Sequence, residues 1–324
     1  MIRRSFCAFW GVILAATGPA LAQAPDAYPA KPVRVVTSYS VGGATDIVAR
    51  LVAKMLTESI GRSFIVDNVT GAGGTIGDAT VARAAPDGYT LLATSSTFAI
   101  NPAVYARLPF DTLKAFAPIS LVGRGPFMLV IHPSVPAKSV KELVALAKAN
   151  PGKLDYASAG QGTAVHLAVA LFNSMAGVTM THIPYKGSGQ ALIDLVAGQV
   201  QMTFASILSS RGHVNSGRLR ALAVSSLQRS TIMPELPTVS EAGVPGYQAA
   251  SWYAWFAPAG TPRPIIGRLN AAIVKGVKSP ELSKRLLSGG AEPVGSSAEE
   301  LGQFLADEVT RWRKVVQVAG VRRK

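Results

Sequence analysis

The chain has one cysteine, Cys7, in 324 residues. It falls in an N-terminal stretch read below as a leader, so the rest can form neither a disulfide nor a thiol-based active site. Acidic residues are also scarce, 18 against 32 lysines and arginines. Charged residues make up 15% of the chain and hydrophobic residues 48%, which excludes charge-driven disorder and permits a large core without cross-links. The four histidines, His132, His166, His182 and His213, show no His-Glu-x-x-His or other metal-binding spacing. No Gly-x4-Gly-Lys-Ser/Thr is present, and the Gly71-x-Gly73 pair has Ile76 where a dinucleotide fingerprint needs its third glycine. Tyr156-Ala-Ser158-Ala-Gly160 misses a nucleophile elbow because position 156 is not glycine. These absences exclude nucleotide loops and weigh against hydrolase chemistry.

What is present starts with a leader pattern. Arg3 and Arg4 are followed by an uncharged apolar stretch, Phe6 to Ala16, too short to span a bilayer, and then by Ala20-Leu21-Ala22. This order is that of a secretory signal peptide over residues 1–22, with an N-terminal anchor as the alternative. No later run is apolar for long enough to cross a membrane, so the mature chain is expected to be soluble and exported. Net charge is +14, and +12 once Arg3 and Arg4 are set aside. Such a balance fits a generally basic surface or small anionic partners. The basic residues are scattered and not interleaved with aromatics, which disfavours nucleic acid.

Length suggests about two domains. Residues 32–38 read as a buried strand, and from Ala44 the apolar positions Ile47, Val48, Leu51, Val52, Met55, Leu56 and Ile60 share one helical face, closed by Gly61. A strand at 64–67, a glycine-rich turn with a helix to Ala84, and a strand at 89–94 complete β-α-β-α-β. The scheme recurs with strands at 127–132, 154–157, 181–185, 200–205 and 220–225 and helices at 140–149, 163–176 and 190–197. An aromatic strand at 247–256 precedes helices at 265–277, 280–287 and 298–318. The fold class is therefore α/β, with mostly parallel sheets flanked by helices.

Three strand-to-helix turns are rich in glycine and hydroxyls: Ser40-Val-Gly-Gly-Ala-Thr-Asp46, Gly71-Ala-Gly-Gly-Thr-Ile-Gly77 and Ser158-Ala-Gly-Gln-Gly-Thr163. Such turns sit at the carboxyl ends of parallel strands, where open α/β sheets bind ligands. A helix N-terminus exposes unpaired N–H groups and about half a positive charge. Glycine removes the Cβ that would hold a carboxylate or phosphate away. Tight strand–helix packing explains any one of these turns equally well. One exposed helix end contributes only ~0.3–1 kcal/mol, whereas micromolar binding needs about 8 kcal/mol. A useful anion site would need at least two opposed turns. Asp46, in the first helical turn, would repel an anion aimed at the same N–H groups, so its side chain is expected to turn aside and satisfy backbone donors.

Tyr28-Pro-x-Lys-Pro-Val-Arg34, Gly42-Gly43-Ala-Thr-Asp46, Gly71-Ala-Gly-Gly74, Asp87-Gly-Tyr-Thr-Leu-Leu92, Asn101-Pro102, Ser158-Ala-Gly160, His182-Ile-Pro-Tyr-Lys-Gly187, Leu219-Arg-Ala-Leu-Ala-Val224 and Ala257-Pro-Ala-Gly-Thr-Pro262 occur in this order along the chain. The ordered set resembles the Bug family (TctC-like), the extracytoplasmic solute receptors of tripartite tricarboxylate transporters. The resemblance implies a two-domain periplasmic binding protein of the Venus-flytrap type. Residues 1–22 would be the signal, 28–124 with 247–324 one domain, and 125–246 the other. A small di- or tricarboxylate or aromatic acid would sit between them. The implied ligand-binding residues are Tyr39, Gly43, Ala44, Thr45 and Asp46; Ser95, Ser96 and Thr97; Ser158, Ala159, Gly160, Thr163 and His166; Tyr185; and Ala205 and Ser206. Implied partners are the organic acid and the membrane subunits of a transporter. No enzyme activity, cofactor, metal or nucleic acid is implied, and the chain is expected to be a monomer. A ligand-sensing subunit for a signalling partner shares the same fold and pocket, and a periplasmic hydrolase is the more distant alternative. One departure stands out: where the family often carries an acidic residue after the strand at Phe204, this chain reads Phe204-Ala-Ser-Ile207. The far end of the pocket is thus expected to be less polar and not to recognise an ammonium, with Trp252, Tyr253 and Trp255 as an aromatic wall or as core.

Overall fold

The computed structural model describes residues 28–319 and 321; the signal peptide assigned to 1–22 lies outside them. Strand β1 (Val33–Thr37) leads through a glycine turn into α1 (Ala44–Ile60). The helix ends where Gly61 adopts φ 78° and returns its N–H to Thr57 O, a left-handed cap open mainly to glycine. β2 (Phe64–Asn68) pairs parallel to one side of β1. A 3-10 turn (Ala72–Gly74) and α2 (Thr75–Ala82) then lead to β3 (Thr90–Ser95), parallel to the other side of β1. After α3 (Thr97–Val104) comes β4 (Phe116–Ile131), at 16 residues the longest strand described.

The second series is α4 (Val140–Ala149), β5 (Asp155–Ser158), α5 (Ala164–Ala176), β6 (Thr181–Pro184), α6 (Ser188–Val196), β7 (Met202–Ser206), α7 (Ile207–Asn215) and β8 (Arg220–Val224). The chain returns through β9 (Ala250–Pro258), α8 (Arg263–Val277), α9 (Pro280–Ser288), β10 (Glu292–Pro293) and α10 (Ala298–Ala319). The strands run in the order β2-β1-β3-β9-β4-β7-β5-β6. Two parallel trios, β2-β1-β3 and β7-β5-β6, are thereby joined through β9 and β4, which pair antiparallel to their neighbours. Among the described residues no helix is long and apolar enough to cross a membrane.

Both faces of the first trio are covered, so β1 reads as a nearly unbroken apolar run. Val48, Val52 and Leu56 of α1, with Leu269, Ile273 and Val277 of α8, pack on Val33, Val35, Leu91 and Trp255. On the other face, Phe98 and Val104 of α3 and Leu301, Leu305 and Trp312 of α10 belong to a core that continues to Leu143 and Phe172.

β4 departs from the expected strand at 127–132. It begins at Phe116, and the 125/124 division expected between domains falls inside it. Residues 116–126 pair with β9, and 127–131 with β7 and β8. Gly123-Arg-Gly-Pro126 disguises this run, because glycine and proline ordinarily break strands. The glycines are there for close backbone approach: a Cβ on Gly125 would lie 2.0 Å from Gly290 O, and one on Gly123 2.8 Å from Glu292 O. Helices α3 and α7 were also absent from the sequence reading.

Candidate anion-binding cleft

Two of the three glycine-rich turns predicted from the sequence converge, and the third, at 71–77, lines a neighbouring cavity instead. The turns after β1, β3, β5 and β7, together with the start of α6, meet around a cavity of about 40 Å³. Tyr39, Ala44 and Thr45 line it from the β1–α1 turn, and Ser95, Ser96 and Thr97 from the β3–α3 turn. Opposite stand Ala159 and Thr163 of the β5–α5 turn and Ala205 and Ser206 of the β7–α7 turn. Ten of the sixteen expected site residues therefore share one cavity. The sequence reading missed Phe127, Ala164, Val165, Ser188, Ser209 and Ser251, which also line it. Isolated serines and strand aromatics carry no local signal. Of the three aromatics considered for a wall, Tyr253 faces the cavity, Trp255 is core, and the Trp252 indole is bonded to Glu308.

No lining side chain is charged. The first residues of α1, α3, α5 and α6 and the Ser206 cap of α7 all reach the cavity, so five helix N-termini converge where two were required. Each brings unpaired donors and a partial positive charge. Local bonds already organise the rims. Thr163 Oγ1 accepts from His166 N and Ser206 Oγ from Ser209 N, while Thr97 Oγ1 accepts from Ala164 N across the cleft. Gly189 N donates to Ser40 Oγ at 3.2 Å, a second bond between facing turns. Tyr39 is buried, which raises its hydroxyl pKa.

Four expected site residues support the rims from behind. Gly43 caps α1 without a side chain, and a Cβ there would approach Ser188 Oγ at 3.1 Å. Asp46 turns aside, as its repulsion of an anion required. It accepts from Gly42 N, Arg50 Nε and Asn68 Nδ2, which fixes the glycine turn. Ser158 Oγ accepts from Gly160 N and lies 2.6 Å from His182 Nε2. His166 Nδ1 accepts from Gly162 N, and its ring stacks on His182 at 4.0 Å. Tyr185 and Gly160 line a neighbouring cavity instead.

Buried titratable groups around the cleft give a signed pH dependence. Burial lowers His166 to about 3 and His182 to about 4, and the paired rings reinforce the shift at His166. Burial raises Asp78, bonded only to Ser38 Oγ, to about 7. Below pH ~6.5 each histidine takes up a proton on unfolding, so its stability is complete above that value and is lost as pH falls. Asp78 does the reverse: it releases a proton on unfolding between about 4 and 7, so stability rises as pH falls through that range. Two uptakes against one release leave a net loss of stability as pH falls from 6.5 to 5. Denaturant titrations across that window should show this loss, and Asp78→Asn should steepen it. A flat or inverted dependence would contradict the assignment.

Comparison with known proteins agrees with this geometry. Residues 48–321 match the family described as the tripartite tricarboxylate transporter family receptor. Protein BugT of Bordetella pertussis is 38% identical over 316 residues, covering 97% of each chain. R. palustris Rpa4515, solved with adipate, superposes with a TM-score of 0.89 at 37% identity, covering 91% of this chain and 99% of that one. MatC from Rhodopseudomonas palustris, solved with bound malate, gives 0.85 at 33% identity over 89% of this chain and 100% of its own. The matched family is described as a receptor, and a further solved structure at 35% identity is that of periplasmic binding protein BugD, so the hydrolase reading is set aside. The chain belongs to the tripartite tricarboxylate transporter receptor family.

Proposed function

We propose that the protein is a periplasmic receptor that binds a small organic carboxylate and delivers it to the membrane subunits of a tripartite tricarboxylate transporter. The observation that carries this reading is a buried cavity without a charged side chain, ringed by five helix N-termini. A cation would find no counter-charge there, and a neutral solute would leave the converging N–H groups unmatched. A carboxylate satisfies both, and partial burial raises each helix end toward ~2 kcal/mol. The adipate and malate held by two relatives support the same class.

At about 40 Å³ the cavity has room for only a few waters, so a carboxylate enters when the facing halves part and is held when they close. The halves are residues 28–124 with 247–324, and 125–246, hinged where β4 and β9 pass between them. Ala205 and Ser206, in place of an acidic residue, leave no partner for an ammonium.

Thermal-shift measurements over adipate, malate, citrate and aromatic acids test the proposal. A ligand at 100 times its Kd stabilises the folded state by about 2.7 kcal/mol. At least one acid should raise Tm, and amino acids of the same length should not. Thr163→Ala should weaken the response about tenfold by removing a lining hydroxyl that also caps α5. The absence of a response to any organic acid, or a preference for amino acids, would overturn the reading.

A further inference from the structure

A second cavity, of about 300 Å³, adjoins the first, and Tyr39 and Ala159 line both. Its walls have a different character. Lys186 is its one charged residue, whereas the inner cavity has none. Lys186 is exposed and makes no ion pair among the described residues. The nearby carboxylate of Asp194 accepts from the Tyr185 hydroxyl and does not line the cavity.

The opposite wall is the loop 71–74, in which Gly71, Ala72, Gly73 and Gly74 all have positive φ, from 47° to 131°. This left-handed run is held by Asn101 Nδ2 donating to Gly73 O and by the Tyr105 hydroxyl on Ala72 O. Ala72 and Gly73 open the 3-10 turn, so their N–H groups have no partner within it. Exposed Gln161 adds an amide beside them. Donors and one ammonium thus face the same space, with no lining carboxylate to oppose an anion.

We infer that this outer cavity is a second anion subsite, in which Lys186 and the loop 71–74 hold the distal carboxylate of a diacid whose first carboxylate lies in the inner cavity. The inference rests on the carboxylate-receptor reading and adds a selection rule to it. The inner site grips any carboxylate by backbone donors, and Lys186 separates diacids from monoacids of equal length. An ammonium meeting a carboxylate in a partly enclosed space gives a stronger contact than a fully exposed pair, and the contact weakens with salt.

Calorimetry on the full mature protein tests this, comparing α,ω-diacids of four to eight carbons with monoacids of the same length, adipate against hexanoate among them. The wild type should bind the best diacid at least tenfold tighter than its monoacid. Lys186→Gln should weaken that diacid about tenfold and leave the monoacid within twofold. Lys186→Glu should make the diacid the weaker ligand of the pair. Unchanged unfolding temperatures without ligand would show that both variants fold. An unchanged diacid-to-monoacid ratio, or an equal loss for both, would overturn the outer subsite alone. Failure of every acid to bind the wild type would overturn the receptor reading with it.

Discussion

Gly189→Ala should lower carboxylate affinity about a hundredfold while leaving the unfolding temperature of the unliganded protein nearly unchanged. Gly189 stands in the first turn of α6, where its N–H reaches Ser40 Oγ on the facing turn. A Cβ at this position would lie 2.4 Å from Val41 O, and one on neighbouring Gly187 2.2 Å from Ser40 Oγ. The first obstacle is backbone and cannot rotate away. α6 itself tolerates alanine better than glycine, so the cost falls on the contact between turns and not on the helix. With that contact blocked, the cleft stays open and its helix ends remain in water. Two helix ends falling from ~2 to a few tenths of a kcal/mol account for roughly a hundredfold. Calorimetry with the acid that best stabilises the wild type, paired with the radius of gyration from solution scattering, would measure both effects. Affinity within twofold of the wild type would show that closure does not depend on this contact.

The jaws of the cleft were legible in the sequence because their chemistry is local. Gly42-Gly43 and Gly160 to Thr163 each follow an apolar run and precede a helical period, and both turns form as expected. Asp46 was legible by elimination, since a carboxylate beside an anion site has to be occupied elsewhere, and it is. α3 was not legible. It is buried on most sides, so it lacks a polar stripe, and Pro102 lies within it. α7, Ile207–Asn215, has almost no periodic apolar face and starts from a serine cap that resembles any polar loop. These two helices deliver two of the five N-termini, so the sequence reading understated the positive potential of the cleft. The first part of β4, 116–126, was missed for the opposite reason, since the glycines that admit β10 look like a loop. Local patterns thus revealed what binds, while close approach between distant segments, which decides how the pieces meet, left only ambiguous glycines.

The same contrast identifies the substitution with the largest expected effect on stability, Glu308→Leu. Glu308 is only 7% exposed and belongs to α10, which packs against α3 and β4. Its Oε2 accepts from two indoles, Trp252 Nε1 at 2.9 Å on β9 and Trp312 Nε1 at 3.1 Å one helical turn on, while Oε1 accepts from Arg311. Trp252 also packs edge-on against Phe304 of α10. Leucine would occupy a similar space but leave two buried N–H donors without an acceptor, at about 1–3 kcal/mol each. The expected loss is about 3–5 kcal/mol, or roughly 10 °C in Tm for a chain of this size. Glu308→Gln keeps one acceptor oxygen and should recover part of it. Because neither indole lines the cleft, carboxylate affinity below the transition should stay within about twofold of the wild type. Denaturant unfolding followed by tryptophan fluorescence reports on the indoles directly. A loss below 1 kcal/mol would mean that the indoles find other acceptors, and a matching loss of affinity would tie α10 to the site itself.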